Sequence, residues 1–340
     1  MTSLRGNSYY AFVSATTVPF VSLAAAAFVP PDYHIHTVLC KHAEGLASEY
    51  RAAAARCGMR SMAFTDHVPT PVGYDPANRM DLDQFPLYRD MVLQFRNAGE
   101  PHVLLGVEAD YHPGCETYLR DWLPRQEFDL VLGSVHYIRE WGFDNPAERD
   151  RWDTADLRRA WQDYCDLLAA MAQTGLFDIV GHLDLPKKFG HRLPDKDLRE
   201  LAQPLLDSIA RADMTIEINT AGLRKPVGEM YPSPLLLALA HERGIPICFG
   251  SDAHRPHEVG AAFGAAVRLA QSVGYAAYAQ YRQRGRTLHP WPAAQAESIR
   301  EPTDETDAAG KTGGGPPAPV TMLGADGARR PRRARVSDRL

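Results

Sequence analysis

The sequence predicts an α/β fold in which seven βα units surround a largely parallel sheet. Three observations carry that reading. Between residues 32 and 283, short apolar runs alternate with longer amphipathic ones, the pattern of repeated βα units. Glycines Gly58, Gly99, Gly175 and Gly244 stand just past the amphipathic stretches, where a residue after a helix wants positive φ. Nearly every apolar run also ends in a histidine or a carboxylate, which a buried strand would not otherwise carry.

Taken in order, strands are expected at "DYHIHT" (32–37), "SMAFTD" (61–66), "VLLGVEA" (103–109), "LVLGSV" (130–135), "IVGHL" (179–183), "TIEIN" (215–219) and "ICFGS" (247–251). Amphipathic helices are expected over 43–57, 83–97, 155–174, 196–212 and 234–243. The loop over 66–83 is long for a βα link and is expected to form a lid facing a substrate. The run "RDWLPRQEF" around Trp122 reads as helix packing.

Outside this block the chain changes character. Residues 1–31 hold an apolar run preceded by Arg5 alone among charged residues and interrupted by Pro19, so they read as a loose or mis-started extension rather than a signal or anchor. Residues 291–340 are rich in Gly, Pro and Arg without sustained apolar period, the composition of a disordered tail. The folded βα block is expected over 32–290.

With 340 residues and 45% hydrophobic content, the chain is long enough for a full core. Its net charge of −5 gives no reason to expect a nucleic-acid or membrane partner. The five cysteines are odd in number and form no CxxC pair, which argues for a reducing cytoplasm rather than a disulfide framework.

The polar strand endings point to chemistry. In a closed parallel barrel they converge on one mouth. His34 and His36 are two apart on a strand and project from the same face. Seven of the 13 histidines lie at or just after strand ends, with Glu108 and Asp252 beside them. Imidazole and carboxylate ligands suit Zn²⁺, Mn²⁺ or Fe²⁺, and a site of this size suits two or three ions. Such sites favour phosphoryl chemistry, because the ions activate water and clamp phosphate oxygens. Cys40 lies inside the first motif but reads as a small buried core cysteine, not a ligand. Asp66 is expected behind a ligand imidazole, or as a helix cap.

Seven motifs in order, "DYHIHTVLCKH", "FTDHVP", "GVEADY", "LGSVHYI", "VGHLDLPKKFG", "EINTAGLRKP" and "FGSDAH", resemble those of the polymerase and histidinol phosphatase (PHP) superfamily, in particular its monofunctional histidinol phosphatases. The resemblance implies a distorted, TIM-like (β/α)7 barrel with a metal centre at the C-terminal ends of the strands. Carried over by motif, His34, His36, Glu108 and Asp252 would hold one ion, Glu108, His136 and His182 a second, and His42, His67 and His254 a third, with Glu108 bridging. The implied reaction is hydrolysis of L-histidinol phosphate in histidine biosynthesis, with Glu108, Asp252 and His254 as catalytic groups. The donor of a proton to the leaving oxygen stays open among His254, Asp252 and a water. Lys187, Lys188, Arg224 and Lys225 lie just beyond strand ends, and Arg224 and Lys188 are the expected phosphate contacts. His191 is expected near enough to the mouth to touch substrate. Two rivals stand beside this reading: another phosphoesterase of the superfamily, acting on nucleotides, oligonucleotides or phosphotyrosine, and a non-catalytic metal-binding scaffold.

Overall fold

The computed structural model describes residues 28–292 except Val72, so the proposed extension over 1–31 and tail over 291–340 lie almost wholly outside the described residues. From its first described residue the chain is held down. Phe28 packs on Tyr278 at 5.3 Å between ring centroids, and Tyr278 stacks on Trp291.

Ten strands and seven α-helices follow. The strands are β1 (Ser61–Phe64), β2 (His102–Asp110), β3 (Leu130–Ser134), β4 (Tyr137–Ile138), β5 (Trp141–Gly142), β6 (Ile179–Val180), β7 (Thr215–Asn219), β8 (Ile247–Gly250), β9 (Ala277–Arg282) and β10 (Gly285–Pro290). The helices are α1 (Ala47–Arg56), α2 (Phe85–Leu93), α3 (Glu116–Trp122), α4 (Leu157–Gln173), α5 (Asp195–Arg211), α6 (Pro234–Glu242) and α7 (Phe263–Val273). Six strands form one parallel sheet in the order β1-β2-β3-β6-β7-β8.

Residues 32–37, expected as the first strand, close this sheet without becoming a regular strand. They bridge β1 through Asp32 and Met62, and the far edge through Ile35 and Ala253. Backbone bonds run to both sides, from Ala63 N to Asp32 O (2.8 Å) and from Tyr33 N to Phe249 O (2.9 Å). The ladder is broken because side chains take its donors. Thr65 Oγ1 accepts from Ile35 N (3.2 Å), while Asp32 accepts from Ser251 N (2.9 Å) and Gly260 N (3.0 Å). The result is a seven-stave barrel, as expected, with one irregular stave.

Two apolar layers hold it. Side chains alternate along each strand, so Leu130 and Leu132 of β3 fill the barrel with Ala63, Ile179 and Cys248, while Val131 joins the outer layer under the helices. Helix α4 presents Ala160, Tyr164, Leu168, Met171 and Ala172 to that layer, and Asp156 caps it by accepting from Arg159 N at 3.0 Å. The four glycines expected after helices all have positive φ, between 66° and 79°. Trp122 packs between Phe85, Tyr118 and Phe128, as its aromatic neighbourhood predicted.

Helices α3 and α7 and the β9–β10 hairpin were not foreseen. The hairpin plugs the barrel floor: Tyr281 joins the inner layer, and its hydroxyl donates to Thr215 Oγ1 (2.6 Å).

Candidate metal centre

Each barrel stave delivers polar side chains at its C-terminal end. The closing segment brings His34 and His36; His67 follows β1; Glu108 and Asp110 end β2; His136 follows β3; His182 follows β6; Glu217 and Asn219 end β7; Asp252 and His254 follow β8. A one-turn 3-10 helix, Val38–Cys40, reverses the chain so that His42 returns to the same mouth. A cavity of about 510 Å³ opens there, lined by His36, His42, His67, Glu108, His136, His182, Asp252 and His254, with Lys188 and Arg224 on its walls. His34 lies fully buried beneath.

Glu108 is the centre of the array. Imidazole nitrogens of His34 (3.2 Å), His36 (3.5 Å), His67 (3.2 Å), His136 (3.6 Å) and His182 (3.1 Å) all face its two oxygens. Two ligand atoms on one tetrahedral ion with bonds near 2.0–2.1 Å lie about 3.3 Å apart, so these separations match atoms sharing a cation. Consistent with that, His34 Nε2 and His67 Nδ1 face Glu108 yet make no hydrogen bond among the described residues. The donor set therefore fits a divalent ion.

Charge in the cage is strongly biased. Burial alone would raise the Glu108 carboxyl, but His67, His34 and His182 hold it well below its usual range. Burial likewise works against a charged His34, yet Glu217, Glu108 and Asp252 raise it well above 6.5. At His67 burial wins and the pKa falls well below 6.5. His136 is pushed up to about 9, as Asp110 and Glu108 outweigh its burial.

A further set of groups orients these donors. Glu217 Oε1 binds His34 Nδ1 at 2.8 Å, and its other oxygen accepts from His182 N at 2.9 Å. Asp110 Oδ1 binds His136 Nδ1 at 2.5 Å and its partner oxygen contacts the buried Arg79 guanidinium. Asp66 stands behind His36, 3.5 Å from Nδ1, and accepts from Thr37 N at 2.8 Å, so it orients rather than caps a helix. Such partners fix ring orientation and basicity. The backbone is strained at this site. Lys41, His182 and Asp252 have φ of 68°, 22° and 51°, in the region that costs non-glycine residues about 1–3 kcal/mol.

The sequence left Asp110 and Glu217 without roles. Asp110 was findable: it lies two residues after Glu108 on one strand, so both point to the same face.

Among the expected phosphate contacts, Lys188 Nζ lies 3.0 Å from Asp144 at the cavity wall. Arg224 donates to Ser251 O (2.7 Å) and Asp252 O (3.2 Å) through one nitrogen, with Glu258 3.4 Å from Nε. Lys187 turns away, buried between Asp184 (2.9 Å) and Glu229 (2.7 Å). His191 does not line the cavity; its ring stacks on Trp152 at 4.8 Å. The expected lid forms a tethered wall. Asp75 and Asn78 line the cavity, while Lys41 donates to Pro76 O (2.8 Å) and Arg79 to Val68 O (3.1 Å).

A barrel of parallel staves with histidines and carboxylates gathered at its C-terminal mouth is the architecture of a metal-dependent hydrolase. Residues 32–221 match the PHP domain and residues 236–264 the PHP-associated model, and the chain belongs to the PHP family. It is 47% identical over 245 residues to the probable histidinol-phosphatase of Deinococcus radiodurans, covering 72% of this chain and 93% of that protein. The histidinol-phosphatase of Bacillus subtilis is 29% identical, over 68% of this chain and 96% of its own length. The histidinol phosphate phosphatase of Lactococcus lactis, solved with zinc, L-histidinol and phosphate, shares the fold at a TM-score of 0.63 and 19% identity, covering 76% of this chain and 98% of that one.

Proposed function

We propose that the chain is a phosphoric monoester hydrolase that converts L-histidinol phosphate and water to L-histidinol and phosphate, serving histidine biosynthesis. The observation that carries this reading is the Glu108 carboxylate ringed by five imidazoles within 3.6 Å. The substrate follows from the name of the Deinococcus relative at 47% identity.

The nine residues His34, His36, His42, His67, Glu108, His136, His182, Asp252 and His254 are the proposed ligands of two or three divalent ions, drawn from Zn, Mn and Fe. Bound there, such ions lower the pKa of a coordinated water and offset charge on the phosphate. The protein's own groups do the rest. Glu108 reaches two sides of the cage with its two oxygens, so it is the proposed bridge. Lys188, Lys225 and Arg224 give the cavity a basic wall that draws in and orients a dianionic phosphate. Asp75 and Asp144 line the same cavity and suit the ammonium and imidazole of histidinol. Asp252 and His254 border it beside Arg224, and they or a water held there are the candidates for passing a proton to the leaving oxygen.

Purified protein loaded with Zn²⁺, Mn²⁺ or Fe²⁺ is expected to release phosphate from histidinol phosphate faster than from a nucleotide, phosphotyrosine or short single-stranded DNA. Rapid turnover of one of those three with histidinol phosphate untouched would refute the substrate. The five cysteines, all free, fit a reducing compartment, and we propose the cytoplasm. Among the described residues, no helix is long and apolar enough to cross a membrane.

A further inference from the structure

One corner of the cage is built differently from the rest. His42 Nδ1 lies 2.7 Å from the carbonyl oxygen of Cys40, and His254 Nδ1 lies 3.1 Å from that of Asp252. A carbonyl can only accept, so each Nδ1 carries a proton and, in the neutral rings, each Nε2 presents a lone pair. Those two Nε2 atoms face each other at 2.8 Å. Two lone pairs at that distance repel unless a proton or a metal ion lies between them, and the contact is therefore a place where one metal ion can be held by both rings. The rings of His36 and His254 stack at 4.3 Å beside them.

The next donor at this corner is a sulfur. Cys40 is fully buried, and its Sγ lies within 4.8 Å of ligand nitrogens of both His36 and His254. His67, the motif-derived third member of this corner, turns Nδ1 toward Glu108 (3.2 Å) and Asp110 (3.9 Å), and its ring is 6.0 Å from that of His42. Lys41, held at φ 68°, makes the turn that puts the Cys40 carbonyl behind His42 while the Cys40 side chain stays in the cage.

We propose that Cys40 is a thiolate ligand of the ion held by His42 and His254. On binding, the thiol proton is released to solvent and the sulfur lone pair is donated to the ion. A soft sulfur donor makes this corner select Zn²⁺ or Fe²⁺ over Mn²⁺, whereas the Glu108 corners, built of nitrogen and oxygen, discriminate less. The inference rests on the metal-centre reading above and deepens it.

The test needs no turnover. In zinc-loaded wild-type protein, X-ray absorption is expected to resolve a sulfur scatterer at about 2.3 Å beside the nitrogen and oxygen shell near 2.0–2.1 Å. Cobalt-loaded wild type should show a near-ultraviolet sulfur-to-cobalt charge-transfer band, and C40S should lack it. C40S should also hold one ion at least about tenfold more weakly in a chelator competition, the lower bound set by losses from mutating mere orienting partners. Bound metal with no sulfur scatterer, or a cobalt band unchanged in C40S, overturns the thiolate and leaves the proposed function standing. No bound metal at all overturns both. The absorption measurement on wild type stands even where C40S folds poorly.

Discussion

Glu217 fits against His34 only because its neighbour on β8 has no side chain. A Cβ on Gly250 would stand 1.8 Å from Glu217 Oε1 and 2.7 Å from the His34 Cβ. We therefore expect G250A to displace the His34 partner and cut metal affinity and kcat/KM by about 10–100-fold, the range for loss of an orienting partner. Gly264, in α7, meets only the tip of Arg268 at 3.5 Å, so G264A should leave both quantities unchanged and stabilise slightly. Equal effects of the two substitutions would show that Gly250 makes no special room. At this scale the sequence was legible wherever a side chain announced itself at a strand end, as His136 and Asp252 do. Glu217 also ends a strand, but its partner His34 is 183 residues away, and no local spacing says which of the two an oxygen will face.

Among the elements, the helices were readable because their apolar faces repeat at helical spacing, and α4 and α5 begin and end within two residues of expectation. The β9–β10 hairpin was not. Its turn residues Gln283 and Arg284 both take positive φ, 49° and 63°, without the Asn-Gly or Asp-Gly pair that marks such turns, so the sequence carries no hairpin signal there. Another element-level device is the link between the loop after β6 and the one before α6. Buried Lys187 is paired with Asp184 and Glu229, donates to Met230 O at 2.6 Å, and Glu229 also binds Arg192 at 2.6 Å. Burial raises the Glu229 carboxyl, but Lys187 and Arg192 outweigh it and the pKa is lowered. A lowered carboxylate stabilises the fold above its unfolded value of about 4.3 and loses that contribution as pH falls through the folded value. E229Q should thus cost about 1–3 kcal/mol in urea melts at pH 7 in the presence of chelator, converging on wild type in acid. A difference that persists unchanged in acid would refute the ionic account.

For the whole molecule, the proposed ligands come from every stave but β7, whose Glu217 orients His34, and they include both sides of the seam where residues 32–37 meet β8. An ion bound by His34 and Asp252, or by His42 and His254, spans the seam. Metal binding and barrel closure are then linked, and the native state gains RT ln(1 + [metal]/Kd), about 4 kcal/mol at a thousandfold excess over Kd. Stripping metal should lower Tm by roughly 8–16 °C, at about 2–4 °C per kcal/mol for a domain of this size, with readdition of Zn²⁺ restoring it. A Tm indifferent to chelator would separate the site from the seam. The seam also has a meaning in time. His42 and His254 are 212 residues apart in the chain yet touch in the fold. A ribosome making this protein releases the first half of the cage long before the last, so the growing chain exposes histidines with no partners to share an ion. Its active site comes into being as a late event of synthesis, once β8 has come into place beside residues 32–37.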